Sequence, residues 1–449
     1  MTIAEALEMG LQLQKAGKLH EAIEVYRQCV AASPSVVEAH FNLGLALQQT
    51  RQLGEAIAEY QATLALKPEH ADAHNNLAAA YRTQCRYDEA IGEFKRAIEC
   101  KPGSAEIHSN LGFTLHEAAR FDEAMAEYVK ATEISPAYPE AHLNMAMTLL
   151  LLGDYDRGLR HYEARLAPGF NVQRPLPMPR WDGGELRGKT ILLDHEQGFG
   201  DTIQFVRYAS LLARRGARVL LGCQRELVRV MRSAEGVAGL VTDADFIPPC
   251  HVHCPLASLP LMFGTRLETI PAGRQYLSVD RPLIEGWARR FSRGDRKFKV
   301  GLAWSGATGF VANHVRSPFL AALAPLGRVE GVRFYSLQKG DAAQQARTPP
   351  EGMELVDWSG ELSDFAETGA LMSNLDLIIT SDTSVAHLAG ALGRPTWLLL
   401  CYVPDWRWHL KREDSPWYAT MRLFRQPALG DWGSVVGSVA EELRGRVRG

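Results

Sequence analysis

Asp201 stands in a stretch whose residue types could support acid–base chemistry. A short apolar run at 191–193 is followed by Gly198-Phe199-Gly200 and by an amphipathic segment that begins near Asp201. This order predicts a strand, a glycine turn and a helix, the opening unit of a doubly wound α/β domain. Glycines there let the backbone pass close to a ligand. Asp201 can cap the helix, or it can take a proton from a hydroxyl group as a general base.

Asp382 has a similar setting, because it ends an apolar strand and precedes the start of a helix. Ligands of open parallel sheets bind at the carboxyl ends of the strands. Thr383 and Ser384 can offer backbone N–H groups to a pyrophosphate there, or they can simply cap the helix. His387 follows one turn later on the same face, where it is either structural or part of the site.

Arg316 and Lys339 are the candidate cations for a diphosphate. Guanidinium and ammonium groups held in a preorganised site can neutralise developing negative charge without a metal. The alternative for each residue is an ordinary solvated surface cation. We therefore predict a donor site without a metal.

Two short motifs raise the question of a metal site. Asp243-Ala244-Asp245 is a D-x-D motif, and residues 250–254 are Cys-His-Val-His-Cys. Side chains alternate between the two faces of a strand, so the cysteines of the second motif would point away from its histidines. The four candidate ligands would then lie on opposite faces of the strand, which argues against a metal site. We place His253 near an acceptor instead.

Three tryptophans follow the last long apolar run of the chain, Trp406, Trp408 and Trp417. Such side chains could stack on a flat ring of a ligand. Packing at a domain interface is the commoner outcome for residues of this size.

The first third of the chain repeats with a period of 34 residues. Small residues and aromatic residues keep this spacing, and so do the prolines Pro34, Pro68, Pro102 and Pro136. The period and pattern resemble the tetratricopeptide repeat. They predict about five helix pairs that end near residue 166 and stack into a right-handed solenoid with a concave face.

Two polar rows keep the same period. We expect the histidines to pack between helices with their ring N–H groups satisfied; they are His40, His74, His108 and His142. The asparagines are either an ordinary polar helix surface or a ladder of amides that bonds an extended peptide; they are Asn42, Asn76, Asn110 and Asn144. The repeats of the eukaryotic protein O-GlcNAc transferase resemble these and carry asparagines at the matching position, which favours the peptide ladder.

The remaining sequence alternates apolar runs with helical segments in two series. Strands are predicted at 191–193, 219–221 and 240–241, and then at 300–304, 332–337, 375–380 and 396–401. Residues 167–188 are rich in proline and glycine and are typical of a linker. The pattern predicts two Rossmann-like halves with a ligand cleft between them. A third fingerprint glycine and an acidic residue after the second strand are missing, which argues against a dinucleotide cofactor.

The motifs of these halves resemble those of the heptosyltransferase-like bacterial glycosyltransferases, in the two-Rossmann GT-B arrangement. They are EQGFGDTIQF (196–205), HCPLASLP (253–260), VGLAWSG (300–306), RSPFLAALAPL (316–326), SLQKG (336–340) and SDTSVAHLAGALGRP (381–395). The resemblance implies that Asp201 is the general base and that Asp382 holds sugar hydroxyls. It also implies an acceptor side near Gly198, Gly200 and His253. Heptosyltransferases have a lysine after the first strand of the second half, where this chain has Arg316 after a longer loop.

We predict an N-terminal tetratricopeptide helical solenoid over 1–169, followed by a GT-B pair of Rossmann-like domains over 170–280 and 281–449. The predicted function is inverting, metal-independent sugar transfer from a nucleotide-diphosphate sugar, without a cofactor, to a hydroxyl acceptor. A protein or peptide guided by the concave face is one candidate acceptor. The alternatives are a non-catalytic interaction scaffold and a lipopolysaccharide-type heptosyltransferase.

Composition narrows the class of protein further. Hydrophobic residues make up 46% of the chain and charged residues 22%, as in ordinary soluble proteins. The N-terminus has no secretory signal pattern, and no apolar stretch is long enough to span a membrane. The seven cysteines suit a reducing cytoplasm. A net charge of −3 gives no support for nucleic-acid binding.

Overall fold

The computed structural model describes residues 1–170, 175–196, 198–243, 245–271, 273, 275–292, 294–306 and 313–448. The chain forms two compact units, Met1–Thr148 and Leu149–Gly449. Residues 171–174 of the predicted linker lie outside the described residues, and so does Ala244 of the D-x-D motif. The predicted domain limits at 169/170 and 280/281 stay predictions.

Helices build the N-terminal unit, as the 34-residue period predicts, and consecutive helices from the first to the eighth pack against each other. They are α1 Ile3–Lys15, α2 Leu19–Ala32, α3 Val37–Gln49, α4 Leu53–Leu66, α5 Ala71–Thr83, α6 Tyr87–Cys100, α7 Ala105–Glu117, α8 Phe121–Ile134 and α9 Pro139–Leu151. The helical repeat is therefore confirmed.

The spacing of small and aromatic residues sets how closely paired helices approach. A Cβ atom added at Gly44 would lie 2.7 Å from a ring carbon of Tyr60, which is fully buried. Gly112 and Tyr128 repeat this contact at 2.5 Å. The glycine removes the side chain that would otherwise hold the tyrosine-bearing helix away.

The turn that ends the first helix of each repeat needs a left-handed residue. The residues at this position have φ between 59° and 92°; they are Gly17, Arg51, Cys85, Ala119 and Gly153. The following residue returns a hydrogen bond to the helix, as Arg120 N does to the Leu115 carbonyl at 2.8 Å. This is the usual geometry of a helix C-terminus, at which glycine is the favoured residue.

Two parallel sheets form the core of the C-terminal unit. Among the described residues, the first sheet has the order β3-β2-β1-β4 and the second has the order β10-β9-β8-β5-β6-β7. The strands are β1 Thr190–Asp194, β2 Arg218–Gly222, β3 Val237–Val241, β4 Val252–Pro255, β5 Phe298–Ala303, β6 Val332–Ser336, β7 Leu355–Val356, β8 Leu377–Ser381, β9 Thr396–Leu400 and β10 Met421–Arg425. The predicted pair of parallel α/β sheets is confirmed, while β4, β7 and β10 are additions to the predicted strands.

The helices of this unit are mostly short. They are α10 Tyr155–Tyr162, α11 Phe199–Phe205, α12 Ala209–Arg214, α13 Val228–Met231, α14 Leu259–Met262, α15 Arg281–Ala288, α16 Asn313–Arg316, α17 Phe365–Met372, α18 Ser384–Ala391 and α19 Trp432–Arg448. The apolar stripe of α19, with Val436 and Leu443, packs on the core of the second sheet beside Val300 and Phe334. None of the described helices is both long enough and apolar enough to span a bilayer.

Candidate functional site

In the turn after β1, the Asp201 carboxylate lies close to the backbone of Gly198. Gly198 precedes the first residue of α11, and a Cβ atom added to it would lie 3.1 Å from Asp201 Oδ2. A Cβ atom added at Gly200 would lie 2.7 Å from His387 Cδ2. Both glycines therefore make room for side chains of the site, and α11 packs directly on α18.

Arg407 connects α11 with the segment that follows β9. Its Nη2 atom donates to Asp201 Oδ1 at 2.7 Å, its Nε atom donates to Gln204 Oε1 at 2.5 Å, and its Nη1 atom donates to Asp405 Oδ1 at 2.9 Å. Arg407 is 6% exposed. This guanidinium group fixes the two aspartates on either side of it.

A second ion pair lies at the carboxyl end of β8. Arg316 Nη2 donates to Asp382 Oδ2 at 2.7 Å. Thr383 caps α18, because its hydroxyl group accepts a hydrogen bond from Val385 N at 3.3 Å. The first residue of that helix is Ser384. The start of α18, with its partial positive charge, therefore lies beside a carboxylate–guanidinium pair.

Burial and neighbouring charges act in opposite directions on the three aspartates. Burial raises the pKa of Asp201, and the Arg407 guanidinium opposes this rise. Burial likewise raises the pKa of Asp382 against the effect of Arg316. Burial would also raise the pKa of Asp405, but Arg407 and Arg316 outweigh it and leave that pKa lowered. The charges of Asp382 and Asp405 also raise the pKa of Asp201, so the three carboxylates form one electrostatic cluster.

His387 is a buried, neutral residue of this cluster. Its Nδ1 atom lies 2.7 Å from the hydroxyl oxygen of Tyr418, in a hydrogen bond whose donor depends on the tautomer. Burial lowers the pKa of His387 to about 3. The imidazole ring therefore packs between α11 and Tyr418 without carrying charge at neutral pH.

Lys339 and His253 lie in other surroundings. Lys339 Nζ donates to the Ser359 carbonyl at 2.8 Å, and its side chain is exposed. The backbone of His253 bonds the preceding linker, accepting from Trp181 N at 2.7 Å and donating to Pro179 O at 3.0 Å. Burial lowers the pKa of His253. The described contacts of these two residues do not join them to Asp201 or Asp382.

The three tryptophans after β9 are packing residues. Trp406 is 1% exposed, and Trp408 and Trp417 are fully buried. Trp406 and Trp417 meet edge to face with a centroid distance of 5.9 Å, and Phe205 meets Trp417 in the same way at 6.0 Å. Rings enclosed like this are not free to stack on a ligand.

Residues of the two candidate metal motifs form hydrogen bonds with neighbouring residues of the protein. The Asp245 carboxylate accepts from the backbone N–H of Thr242 at 2.7 Å and from its hydroxyl at 2.8 Å. His251 Nδ1 accepts from Thr190 N at 2.9 Å. Over the described part of the chain, no group of three or more His, Cys, Asp or Glu side chains is arranged to hold a metal ion.

In the N-terminal unit the predicted histidine row is satisfied between helices. His74 Nδ1 lies 2.6 Å from Glu93 Oε2, and His74 Nε2 lies 2.9 Å from the Pro68 carbonyl oxygen. The pairs His40–Glu59 and His108–Glu127 repeat this bridge. These three histidines are structural, as expected, and the fourth member of the row, His142, has its Nε2 atom 2.8 Å from the Pro136 carbonyl oxygen.

The asparagine row lies on the first helices of the repeats, where its members are half-buried. Asn110 Nδ2 donates to Asn75 Oδ1 of the preceding repeat at 3.1 Å, and Asn144 Nδ2 donates to Ser109 Oγ at 3.2 Å. Asn76 Oδ1 accepts from Asn75 Nδ2 at 3.3 Å. Asn110 and Asn144 therefore use part of their hydrogen-bonding capacity to link neighbouring repeats, while Asn76 bonds within its own repeat.

Sequence reasoning missed Arg407, Asp405 and Gln204. Asp405 and Arg407 follow the carboxyl end of β9, so the rule that selected Asp382 after β8 could also have selected them. Gln204 lies one turn beyond Asp201 on α11. The tryptophans on either side of Arg407 are buried, in agreement with the packing role that the sequence favoured for them.

Models of known protein families match both regions of the chain. Residues 322–407 match the model of glycosyltransferase family 9 (heptosyltransferase). Tetratricopeptide repeat models match residues 7–68, 45–105 and 93–126, and a TPR repeat model matches residues 120–153. The chain therefore carries tetratricopeptide repeats in its N-terminal region and a family 9 glycosyltransferase domain in its C-terminal region.

A curated relative and several solved structures are similar to parts of the chain. Protein FlbA of Caulobacter vibrioides is 28% identical over 326 residues, which cover 64% of this chain and 52% of that protein. The chain thus spans about half the length of this relative. A crystal structure of MamA is 23% identical with a TM-score of 0.33, and covers 35% of this chain and 92% of its own. PilF of Pseudomonas aeruginosa is 22% identical with a TM-score of 0.35, and covers 38% of this chain and 78% of its own.

Proposed function

We propose that the chain transfers a sugar from a nucleotide-diphosphate donor to a hydroxyl acceptor, with inversion and with Asp201 as the general base. The observation that carries this proposal is the cluster of Asp201, Asp382 and Asp405 around Arg407 and Arg316. The cluster joins the carboxyl-end segments of both sheets, where ligands of parallel sheets bind. The match of residues 322–407 to glycosyltransferase family 9 supports the class of reaction.

Asp201 suits the task of a base that acts on a hydroxyl group. Burial raises its pKa, which makes the carboxylate a better proton acceptor near neutral pH. Arg407 holds one oxygen, Oδ1, at 2.7 Å, and this contact orients the other oxygen. In the proposed step the acceptor oxygen attacks the anomeric carbon and its proton passes to Asp201. The bond to the diphosphate breaks, and its electron pair leaves with the nucleoside diphosphate.

The leaving diphosphate needs positive charge more than it needs a proton. Arg316, now paired with Asp382, can turn to the phosphate oxygens when a donor binds, while Asp382 takes the sugar hydroxyls. Thr383 and Ser384 add the start of α18. These groups would supply the charge without a metal, and Lys339 would join them only by leaving the Ser359 carbonyl.

A panel of nucleotide-diphosphate sugars tests the donor proposal. A donor present at 100 times its Kd adds about 2.7 kcal/mol to the free energy of unfolding, which a thermal-shift measurement detects. We expect at least one member to raise Tm and to be converted slowly to its nucleoside diphosphate, with or without EDTA. The absence of any shift across the panel would refute the donor class. Loss of turnover in EDTA with recovery in Mn²⁺ would refute metal independence.

For the acceptor we propose a protein segment bound in extended form along Asn42, Asn76, Asn110 and Asn144. Each amide both donates and accepts, so a regular row of amides can pair with successive peptide groups of a backbone. The inter-repeat bonds of Asn110 and Asn144 hold these amides in fixed orientations. The rival acceptor is a saccharide, as for a lipopolysaccharide heptosyltransferase.

Replacing Asn76, Asn110 and Asn144 together by alanine separates these acceptors. Each lost amide contact is worth about 0.5–1.5 kcal/mol, so transfer to an unfolded-peptide library should fall between about tenfold and a thousandfold. Transfer to a small saccharide should not change. Ser109→Ala removes the partner of Asn144 but keeps the row, so it should weaken peptide transfer less than the triple variant does. Unchanged peptide transfer by the folded triple variant would exclude the peptide ladder.

A further inference from the structure

A buried ion pair joins the helical segment 155–166 to the turn before α11. Arg165 Nε donates to both carboxylate oxygens of Glu196 at 3.1 Å, and Arg165 Nη2 lies 3.0 Å from Glu196 Oε1. The two side chains are 6% and 9% exposed. Glu196 stands two residues before Gly198 in the turn that leads to Asp201.

The remaining donors of Arg165 are directed at fixed partners. Nη1 donates to the Tyr162 carbonyl at 3.1 Å and to Glu163 Oε1 at 2.7 Å, and Nη2 donates to Ser258 Oγ at 2.7 Å. A guanidinium group is planar and its donors are rigidly placed. Contacts on all its edges therefore fix the position at which Glu196 can bind.

These partners meet at the edge of the first sheet that carries the reaction site. Glu196 follows β1 and Ser258 follows β4, and β1 and β4 are parallel neighbours whose carboxyl ends share that edge. The Tyr162 ring lies 4.6 Å from the Arg165 guanidinium carbon and packs edge to face with Trp406, beside Arg407. The helical segment 155–166 thus contributes to the surroundings of the Asp201 turn.

We infer that Arg165 is a positioning residue, which holds the Asp201 turn in its reactive geometry through Glu196. A buried carboxylate and a buried guanidinium are costly to desolvate, so such a pair is weak evidence for stability alone. The pair connects the end of the helical segment 155–166 with the turn that leads to the proposed base, Asp201. The inference rests on the proposed function, because it assigns Arg165 a role in that reaction.

The test compares full-length variants, using the nucleotide sugar from the panel that yields most nucleoside diphosphate. In Arg165→Met/Glu196→Met, both charges are replaced by apolar side chains, a change that folded proteins often tolerate. We expect kcat to fall about tenfold to a hundredfold, because a displacement of about 1 Å has that effect on a catalytic group. The KM of the donor should stay within about twofold, since Arg316 and Asp382 are unchanged. Arg165→Lys, which keeps the charge but loses the planar fork, should give an intermediate kcat.

Arg180→Met is the matched control. Arg180 shares Ser258 and Glu163 with Arg165, and no described hydrogen bond joins it to Glu196. We expect its kcat to stay within about twofold of the wild-type value. A fall as large as that of the Met/Met variant would show that loss of any charge in this group impairs turnover, and would overturn the specific role of Arg165.

Amide hydrogen exchange supplies a readout that does not depend on turnover. Peptides that cover residues 190–205 should exchange at least about tenfold faster in Arg165→Met/Glu196→Met, whereas peptides from α19 should not change. If the wild-type chain releases no nucleoside diphosphate from any donor, the proposed function fails, and the exchange measurement still decides whether Arg165 holds the turn. Unchanged exchange, or a wild-type kcat in a folded Met/Met variant, would overturn the inference.

Discussion

The two units differ in how their buried polar side chains are arranged. In the N-terminal unit one bridge recurs in three successive repeats, with Nδ1–Oε2 distances of 2.6, 2.6 and 2.7 Å in the pairs His40–Glu59, His74–Glu93 and His108–Glu127. In the C-terminal unit the buried ion pairs of the described residues follow no period; they lie around Arg407 and Arg316 and between Arg165 and Glu196.

This difference separates structural polarity from functional polarity. The same bridge contributes to packing in three successive helix pairs, so we expect no single copy to be essential for chemistry. A cluster of buried carboxylates with shifted pKa values, such as that of Asp201, Asp382 and Asp405, is costly to assemble and is typical of a reaction site. Substitutions in the two units should therefore affect different measurements.

The largest expected effect is on turnover in Asp201→Asn. An amide cannot accept the proton of the acceptor hydroxyl, so transfer should fall by about 10²–10⁴ while donor binding and Tm change little. Glu93→Gln makes the same chemical change in a repeated bridge and should leave turnover intact. Steady-state release of nucleoside diphosphate measures both. Wild-type turnover in Asp201→Asn would show that Asp201 is not the general base.

A pH-dependent loss of stability should follow from His116 of the N-terminal unit. Burial lowers its pKa to about 4, from 6.5 for the unfolded chain. Between these pH values the unfolded chain binds a proton at His116 more readily than the folded chain does. The free energy of unfolding is therefore unaffected by His116 above pH 6.5 and decreases as the pH falls from 6.5 towards 4. At 1.36 kcal/mol for each pKa unit this amounts to about 3 kcal/mol.

The His116 contribution is measured by comparison with His116→Gln, which places there the residue found at Gln48 and Gln14, the equivalent positions of earlier repeats. Denaturant unfolding between pH 7 and pH 4 should show a steeper decline for the wild-type chain. Parallel curves for the two proteins would contradict the prediction.

His74→Ala tests the repeated bridge itself. The substitution removes two hydrogen bonds and leaves the Glu93 carboxylate and the Pro68 carbonyl without this partner. We expect the free energy of unfolding to fall by about 1–3 kcal/mol with no change in kcat. His20→Ala, at an exposed position, should change neither quantity. A fall in kcat without a fall in stability would place the row in the reaction and break the contrast between the units.

The smallest effect should come from Ala119→Gly, and it should be stabilising. Ala119 adopts φ +59° at the turn position where other repeats have Gly17 or Gly153. Relief of the left-handed strain exceeds the added entropy of the unfolded chain, for a gain of about 0.5–1 kcal/mol. Ala118→Gly, at φ −81°, lacks this relief and should not stabilise. Equal changes in the free energy of unfolding of Ala119→Gly and Ala118→Gly would show that the backbone of Ala119 is not strained.

Much of the fold could be predicted because its signals are local in sequence. The 34-residue period predicts the helices, since each helix pair has the same contacts, as between Gly44 and Tyr60. Apolar runs followed by helical segments predict most of the strands. The strands β4, β7 and β10 were missed because β7 has only two residues, and because polar residues interrupt the apolar pattern of the other two, His253 in β4 and Arg422 in β10.

The candidate site could be predicted only in part. Asp201 was selected because it opens the predicted helix after the glycine turn, and Asp382 was selected because it follows a predicted strand. Arg407 was missed because nothing near it in sequence shows that its guanidinium group reaches Asp201, 206 residues away. Gly200 was assigned to a ligand, while the atom that a side chain there would meet belongs to His387.

The sequence by itself determined the repeat, the two α/β halves and the residues that can carry charge at strand ends. These features depend on contacts between near neighbours or on a fixed period, and a linear pattern records both. Only the tertiary structure decided the partners: Arg407 with Asp201, Arg316 with Asp382 and Arg165 with Glu196. Such pairs depend on how sheets and loops bring distant segments to one edge, where burial makes each charge require a partner.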